Sequence, residues 1–315
     1  MREVFQKADL VASTQTTVLL TGETGVGKSS LARYIHLGSN RPDSPFMAIN
    51  CGAIPESLIE SELFGHEKGA FTGATTRKAG RIELAHQGTI LLDEVGTLSQ
   101  AAQVKLLSFM QDRIFQHVGG TKDIHVDVRI IAATNADLRT LCQEGRFRQD
   151  LMYRLNVFPI EIPPLRERTL DIPDIAMDIL GRLRKGFPRQ VDGITKEVIQ
   201  AFQDYSWPGN VRELENLLER ALILESSDML TPMSFPPQLF IHQQRSGIEQ
   251  IDIDSPLSQV RKIHMEAIEK QYLQQLLIKN KGKIRDSALQ AGIGERQLNK
   301  LMSKYGLNKK EFKTF

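Results

Sequence analysis

The chain has 315 residues, of which 41% are hydrophobic and 25% charged, with 13 prolines and 23 glycines; that balance excludes a mini-protein, a fibrous repeat and a disordered chain, and suggests about two folded units. The formal net charge of +2 points to no partner, because a sum over the whole chain averages away local surfaces. No apolar run reaches the roughly 18 residues of a membrane span, Met1-Arg2-Glu3-Val4-Phe5 has no signal-peptide pattern, and Cys51 and Cys142 form neither a disulfide framework nor a CxxC spacing, so a cytoplasmic chain without a membrane partner is expected.

Residues 17–228 alternate short apolar runs with amphipathic segments, the pattern of a parallel α/β sheet buried on both faces. Candidate strands are Thr17–Leu20, Phe46–Ile49, Thr89–Leu92 and Val126–Ala132. After the first comes Gly22-Glu23-Thr24-Gly25-Val26-Gly27-Lys28-Ser29, a GxxxxGK[ST] sequence that opens a helix-like stretch, Ser30–Leu37. Glycines at this spacing let backbone N–H groups wrap phosphates, and the helix N-terminus adds a favourable dipole. Lys28 is expected to meet the β- and γ-phosphate oxygens and the Ser29 hydroxyl to ligate Mg²⁺, which makes ATP and Mg²⁺ the expected cofactors.

The third strand ends in Asp93-Glu94, two carboxylates at the sheet edge where ligands bind. Asp93 is expected to hold Mg²⁺, directly or through water, and Glu94 to polarise the attacking water, since phosphoryl transfer depends on positioning and charge stabilisation. Alone, an acidic pair after a strand is usually a turn; the upstream P-loop favours catalysis.

After Pro163-Pro164 the β-type runs stop, and Asp171–Leu183, Thr195–Gln203 and Val211–Leu224 carry helical spacing instead, which predicts a small helical subdomain. Residues 231–256 hold Pro232, Pro236, Pro237 and Pro256 without helical periodicity and read as a linker. The expected divisions are thus 1–168, 169–230, 231–256 and 257–315. From Gln259 to Phe315 there are 13 Lys and Arg against 5 Asp and Glu, a surplus of eight positive charges, whereas residues 1–258 hold 27 against 33, a deficit of six. In the basic end, Ile284–Gly292 and Glu295–Tyr305 flank Gly292-Ile293-Gly294, with Ala288, Gly292, Ile293, Leu298 and Leu301 at helix-turn-helix spacing. Arg296, Gln297, Asn299, Lys300 and Lys304 would then be free for the bases or phosphates of double-stranded DNA. Tyr272, Leu273, Leu276 and Leu277 share an apolar face that suits a dimer interface or core packing equally.

The stretch Glu62-Leu63-Phe64-Gly65-His66-Glu67-Lys68-Gly69-Ala70-Phe71-Thr72-Gly73-Ala74 resembles the bacterial enhancer-binding proteins, the NtrC-type AAA+ activators of sigma-54 RNA polymerase, whose hallmark is GAFTGA. Further matches are Ala132-Ala133-Thr134-Asn135, Gly145-Arg146-Phe147-Arg148, Pro163-Pro164-Leu165-Arg166-Glu167-Arg168 and Trp207-Pro208-Gly209-Asn210-Val211-Arg212-Glu213-Leu214. The resemblance is dense over about residues 1–235. It implies an α/β AAA+ P-loop ATPase core with a small α-helical lid, followed by an all-α Fis-type helix-turn-helix domain. It further implies a homo-oligomer, dimer and hexameric ring, that hydrolyses ATP to remodel sigma-54 RNA polymerase holoenzyme and open promoters from enhancer DNA.

Under this resemblance Gly69, Ala70, Phe71, Thr72, Gly73 and Ala74 form the sigma-54 contact loop. Gly69 and Gly73 flank the tip, so the backbone can swing while a ring and a hydroxyl are offered outward; an ordinary surface turn with its Phe tucked in is the plain alternative. Asn50 matches the switch asparagine that holds the catalytic glutamate, with strand-end capping as its plain alternative. Thr134 and Asn135 match sensor I, and Arg212 matches sensor II. Arg148 and Arg154 match arginine fingers that enter the neighbouring subunit's site, whereas read alone they are a solvated helix face; Arg146 matches less closely. Ser29 replaces the family's glutamate after the P-loop lysine, and the chain begins inside the family's ATPase domain, so a short segment that contributes to the adenine pocket and any N-terminal sensory domain are expected to be absent. A different reading, a DNA-binding regulator that keeps the ATPase fold as a scaffold for assembly or ligand sensing, predicts damage to Glu94, the fingers or the loop, and the sequence carries none.

Overall fold

A computed structural model describes residues 1–187, 191–240, 257–280 and 282–307, which fall into two compact units, Met1–Leu239 and Phe240–Phe315. The larger unit begins with α1 (Arg2–Ala12), β1 (Val18–Thr21), α2 (Lys28–Leu37), β2 (Phe46–Asn50), α3 (Glu56–Phe64), α4 (Arg81–Leu84), β3 (Thr89–Asp93) and α5 (Gln100–Asp112). A short antiparallel hairpin, β4 (Ile114–Phe115) and β5 (Ile124–His125), precedes β6 (Arg129–Thr134), α6 (Leu138–Gln143), α7 (Gln149–Leu155) and β7 (Phe158–Glu161).

The five long strands form one parallel sheet in the order β2-β3-β6-β1-β7. Their continuous apolar runs divide by alternation. Leu19, Ile90, Leu92, Ile130 and Ala132 enter the core on one face, with Phe64 and Phe109. Val18, Leu20, Leu91, Ile131 and Ala133 enter the other, with Val4 and Ile35. Helices cover both faces, as parallel strands require. All five C-terminal strand ends therefore share one edge, and the register Asn50↔Asp93 and Thr21↔Thr134 brings the loops after β1, β2, β3 and β6 together there.

Three departures from the sequence reading have physical causes. The ladder of β6 begins at Arg129, because Val126 and Val128 are buried without strand pairing; Val126 N donates instead to Arg113 O. Edge strand β7 contains Pro159, which a one-sided pairing with β1 tolerates. Helix α1, which the sequence reading did not include, is held by Arg129, 1% exposed, whose guanidinium donates to Ala12 O at 2.6 Å and Val11 O at 2.7 Å. A cation there satisfies carbonyls at the end of the helix and complements its dipole.

The rest of this unit is helical: α8 (Ile172–Leu183), α9 (Lys196–Asp204) and α10 (Asn210–Leu224), joined by a two-strand ladder of β8 (Gly193–Ile194) and β9 (Met229–Leu230). Trp207 is fully buried among them, its indole N–H donating to Phe202 O at 2.6 Å and its ring packed edge-on to Phe202 and Tyr205. Just beyond α10 the Glu225 carboxylate is held far below the usual range. Burial alone would raise it, but hydrogen bonds from Ser234, Thr231 and Ser227 prevail. The linker expected at 231–256 is packed at its start, for Phe235 stacks edge-on against Phe202 and Leu239 is buried: prolines there exclude regular structure but not burial. Residues 241–256 lie outside the described residues.

In the smaller unit α11 (Leu257–Lys279), α12 (Ile284–Gln290) and α13 (Glu295–Lys304) enclose Leu273, Leu277, Ala288, Leu298 and Met302. Gly292 takes φ 67° at the turn and Ile293 N returns to Ala288 O at 3.1 Å, the sharp reversal that only a glycine makes without strain. Leu273 and Leu277 are thus core, while Tyr272 is half exposed. Among the described residues no helix is long and apolar enough to cross a membrane.

Candidate functional site

The loop from Gly22 to Gly27 joins β1 to α2 with Gly22, Gly25 and Gly27 all at positive φ. Gly25 cannot carry a side chain: a Cβ there would lie 2.4 Å from Gly209 O. Lys28, almost wholly buried, donates from Nζ to Gly22 O at 2.8 Å and Glu23 O at 3.0 Å, which fixes the loop around its own lysine. Burial lowers its proton affinity, Asp93 and Glu94 oppose that, and Arg212 adds to it. The same cleft is lined by Thr24, Ser29, Asn50, Asp93, Glu94 and Arg212.

Two carboxylates meet the cradle from β3. Ser29 Oγ donates to Asp93 Oδ2 at 3.2 Å, and Asp93 Oδ1 accepts from Glu94 N at 3.0 Å. This hydroxyl and carboxylate are the hard oxygen donors Mg²⁺ takes, so the residues present fit that ion. Glu94 adopts φ 55°, a left-handed conformation costly for a non-glycine residue and typical of sites that aim a side chain. Its carboxylate lies against Gly52, where a Cβ would fall 2.1 Å from Oε2. The buried thiol of Cys51 next door is pushed up to about 12 by burial, with Asp93 and Glu94 adding to the effect; it is an inert packing group.

The remaining expected residues divide. Asn50 lines the cleft, but its Oδ1 accepts from the amides of Gly52 and Ala53 at 2.9 and 3.1 Å, the strand-end capping weighed above. Asn135 reaches the P-loop, donating to Thr24 Oγ1 at 3.0 Å. Thr134 is buried and turns its hydroxyl back to Ala136 N and O, so its side chain supports the Asn135 turn rather than facing the cleft. Val26 is likewise buried, its carbonyl taken by Arg168. Glu23 sends its carboxylate to Arg166 and Asn210 and is not among the residues lining the cleft. Arg148 and Arg154 do not line it either; Arg148 stands at the N-cap position of α7 with its guanidinium in a two-pronged bond to Asp150, and Arg154 is exposed. Arg146 pairs with Glu144 on the surface.

Gly69 and Gly73 take φ 84° and 106° with open space where a Cβ would stand. Gly69 N donates to Ala74 O at 2.8 Å and Ala74 N to Phe71 O at 3.0 Å, closing a small hairpin. The outward Phe-Thr tip is only half realised: Thr72 is exposed, while Phe71 is partly buried edge-on against the His66 ring, 5.0 Å between centroids. At the loop's base lies a cluster without a sequence cue. His117, with a side chain 2% exposed, sets Nδ1 2.7 Å from Glu67 Oε1 and Nε2 2.8 Å from Glu83 Oε2, and Arg77 lies beside both carboxylates. Each ring nitrogen of this buried histidine thus faces a carboxylate oxygen.

On α13, Arg296, Gln297, Asn299 and Lys300 are exposed while Leu298 and Met302 are buried. Lys304 departs from expectation. It is turned onto Tyr305 Oη and Glu266, at 2.9 and 3.0 Å, and both raise its proton affinity.

Residues 1–161 match the family described as Sigma-54 interaction domain, and residues 166–250 match AAA+ ATPase lid domain. Nitrogen fixation protein AnfA of Azotobacter vinelandii is 42% identical over 315 residues, covering 100% of this chain and 58% of the relative. Nitrogen fixation protein VnfA of the same organism is 44% identical over 313 residues, 99% of this chain and 59% of the relative. DNA-binding transcriptional activator HyfR of Escherichia coli (strain K12) is 50% identical over 230 residues, 73% of this chain and 34% of the relative. The chain thus spans less than two thirds of these proteins. Among solved structures, NtrX from Brucella abortus in complex with ATP is 33% identical with a TM-score of 0.67, over 98% of this chain and 68% of that one. With its P-loop cradle, acidic β3 end, GAFTGA loop and helical lid on one unit, the chain belongs to the NtrC-type sigma-54 activators of the AAA+ class.

Proposed function

We propose that this chain hydrolyses ATP as a hexameric ring to remodel sigma-54 RNA polymerase holoenzyme and drive promoter opening, anchored to enhancer DNA by a dimeric helix-turn-helix end. The observation that carries this reading is the presence, in one compact unit, of a braced cradle with Glu94 aimed by a left-handed backbone and of a glycine-hinged loop with an exposed Thr72. The ATP and ADP complexes of the Brucella relative support a nucleotide as ligand.

In this reading the backbone of residues 22–27 and Lys28 hold the triphosphate, and Glu94 orients and deprotonates the attacking water. Ser29 and Asp93 would hold Mg²⁺, which when bound neutralises phosphate charge. Asn135 and Arg212 approach the terminal phosphate from β6 and from the lid. Asn50 relays nucleotide state through the 51–53 turn that Glu94 touches. Arg148 and Arg154, which do not line their own cleft, serve the neighbouring subunit's. Gly69–Ala74 carries the motion to sigma-54, and Arg296, Gln297, Asn299 and Lys300 face DNA.

With ATP, the protein should convert closed complexes of sigma-54 polymerase to open ones, and Glu94→Ala should abolish this; normal opening by that variant would sink the mechanism. Mixing an Arg148→Ala, Arg154→Ala protein with a Lys28→Ala protein should restore part of the ATPase activity. No recovery in mixed rings would refute fingers acting between subunits.

A further inference from the structure

Glu23 is the one acidic side chain in the P-loop, and a carboxylate aimed at the cradle would repel a triphosphate. It points elsewhere. Arg166 grips it through two parallel bonds, Nη1 to Oε2 at 2.9 Å and Nη2 to Oε1 at 2.6 Å, and Asn210 Nδ2 donates to Oε2 at 3.0 Å. These donors, Arg166 first, hold the carboxyl down at about 2.

Asn210 is wholly buried at φ 52°, a left-handed conformation that asparagine tolerates. That backbone turns its amide toward the P-loop, where both N–H groups are used, Nδ2 also donating to Thr24 O at 3.1 Å, while Oδ1 accepts from Leu165 N at 2.8 Å. The next residue continues the grip, Val211 N donating to Gly25 O at 3.0 Å. Two consecutive lid residues therefore bind three consecutive P-loop residues, 23, 24 and 25. The following lid residue is Arg212, which lines the cleft.

We propose that Glu23, Arg166 and Asn210 form a positioning clamp that fixes the register of lid against P-loop and so aims Arg212 at the terminal phosphate. The proposal rests on the reading of Arg212 given above. Because the clamp's own side-chain bonds fall on Glu23 and Thr24 and not on the glycines or Lys28, it governs turnover more than the hold on a diphosphate.

The test compares ATPase kcat and affinity for a fluorescent ADP analogue in Glu23→Ala and Asn210→Asp proteins, each alone and with Arg212→Ala. Glu23→Gln, which keeps an acceptor for Asn210, serves as the conservative variant. Either single change should lower kcat about tenfold or more with analogue affinity altered less than about threefold, Glu23→Gln should recover part of the loss, and combination with Arg212→Ala should add less than about twofold. Analogue affinity falling in step with kcat would overturn the clamp, since the cradle itself would then be misshapen. A multiplicative loss in the double variant would overturn the clamp alone, whereas an unchanged kcat in Arg212→Ala would overturn the role of Arg212 and the clamp with it.

Discussion

Residues 22–29 and residues 69–74 are both glycine-hinged loops of one unit, but they are tied down differently. The first is braced from far away in sequence: Asn135, Arg168, Asn210 and Val211 all bond to it, and Gly209 presses on Gly25. The second bonds largely to itself, with open space at both hinge glycines and one ring contact, Phe71 on His66. Transition-state stabilisation needs dipoles and charges fixed beforehand, whereas a loop that pushes on a partner must have little to break when it moves. The positive φ values look alike in both; what differs is that backbone oxygens crowd the space beside Gly22 and Gly25, though not Gly27, whereas both hinge glycines of the second loop stand open.

That contrast can be broken by substitution, the largest effect first. Gly25→Ala adds both left-handed strain and a collision with Gly209 O, and should cost about 2–4 kcal/mol in denaturant unfolding; an effect under 1 kcal/mol would show the cradle to be as yielding as the loop. His117→Ala removes the shared partner of Glu67 and Glu83 at the loop's base and should cost about 2 kcal/mol. Gly69→Ala meets open space and pays only for its backbone, about 1 kcal/mol, yet should depress promoter opening far more than ATPase rate. Acid should separate the regions again. A carboxyl lowered from 4.5 to about 2 contributes stability that is present above pH 4.5 and lost as pH falls toward 2. The Glu23 bonds are half exposed, so the gap in Tm between wild type and Glu23→Gln should be small at pH 6, less than about 1 kcal/mol in equivalent stability, and should close over that window.

Much of this layout was legible in the sequence because it depends on local rules. Buried parallel strands need unbroken apolar runs, and Val18–Thr21, Phe46–Asn50 and Thr89–Asp93 lie within one residue of the expected strands. The P-loop and the Asp93-Glu94 pair are contiguous signals of the same kind. What escaped was set by tertiary neighbours. Nothing near Glu23 tells that its carboxylate faces Arg166 across 143 residues of chain, and nothing near His117 tells that two carboxylates 50 and 34 residues away converge on it. Strand β7 was hidden by Pro159, which is allowed only because the strand is an edge. Lys304 looked free for DNA because its spacing is right, but Glu266, two helices earlier, already holds it.

Trp207 is the single tryptophan of the chain and sits three residues before Asn210, sealed between Phe202 and Tyr205. The lid thereby carries one intrinsic fluorophore, just ahead of Asn210, with no second indole to blur its emission. An indole sealed from water emits toward the blue, and any loosening of the turn that admits water should redden it. Whether the lid responds to nucleotide can therefore be read in unlabelled, unmodified protein, by light alone.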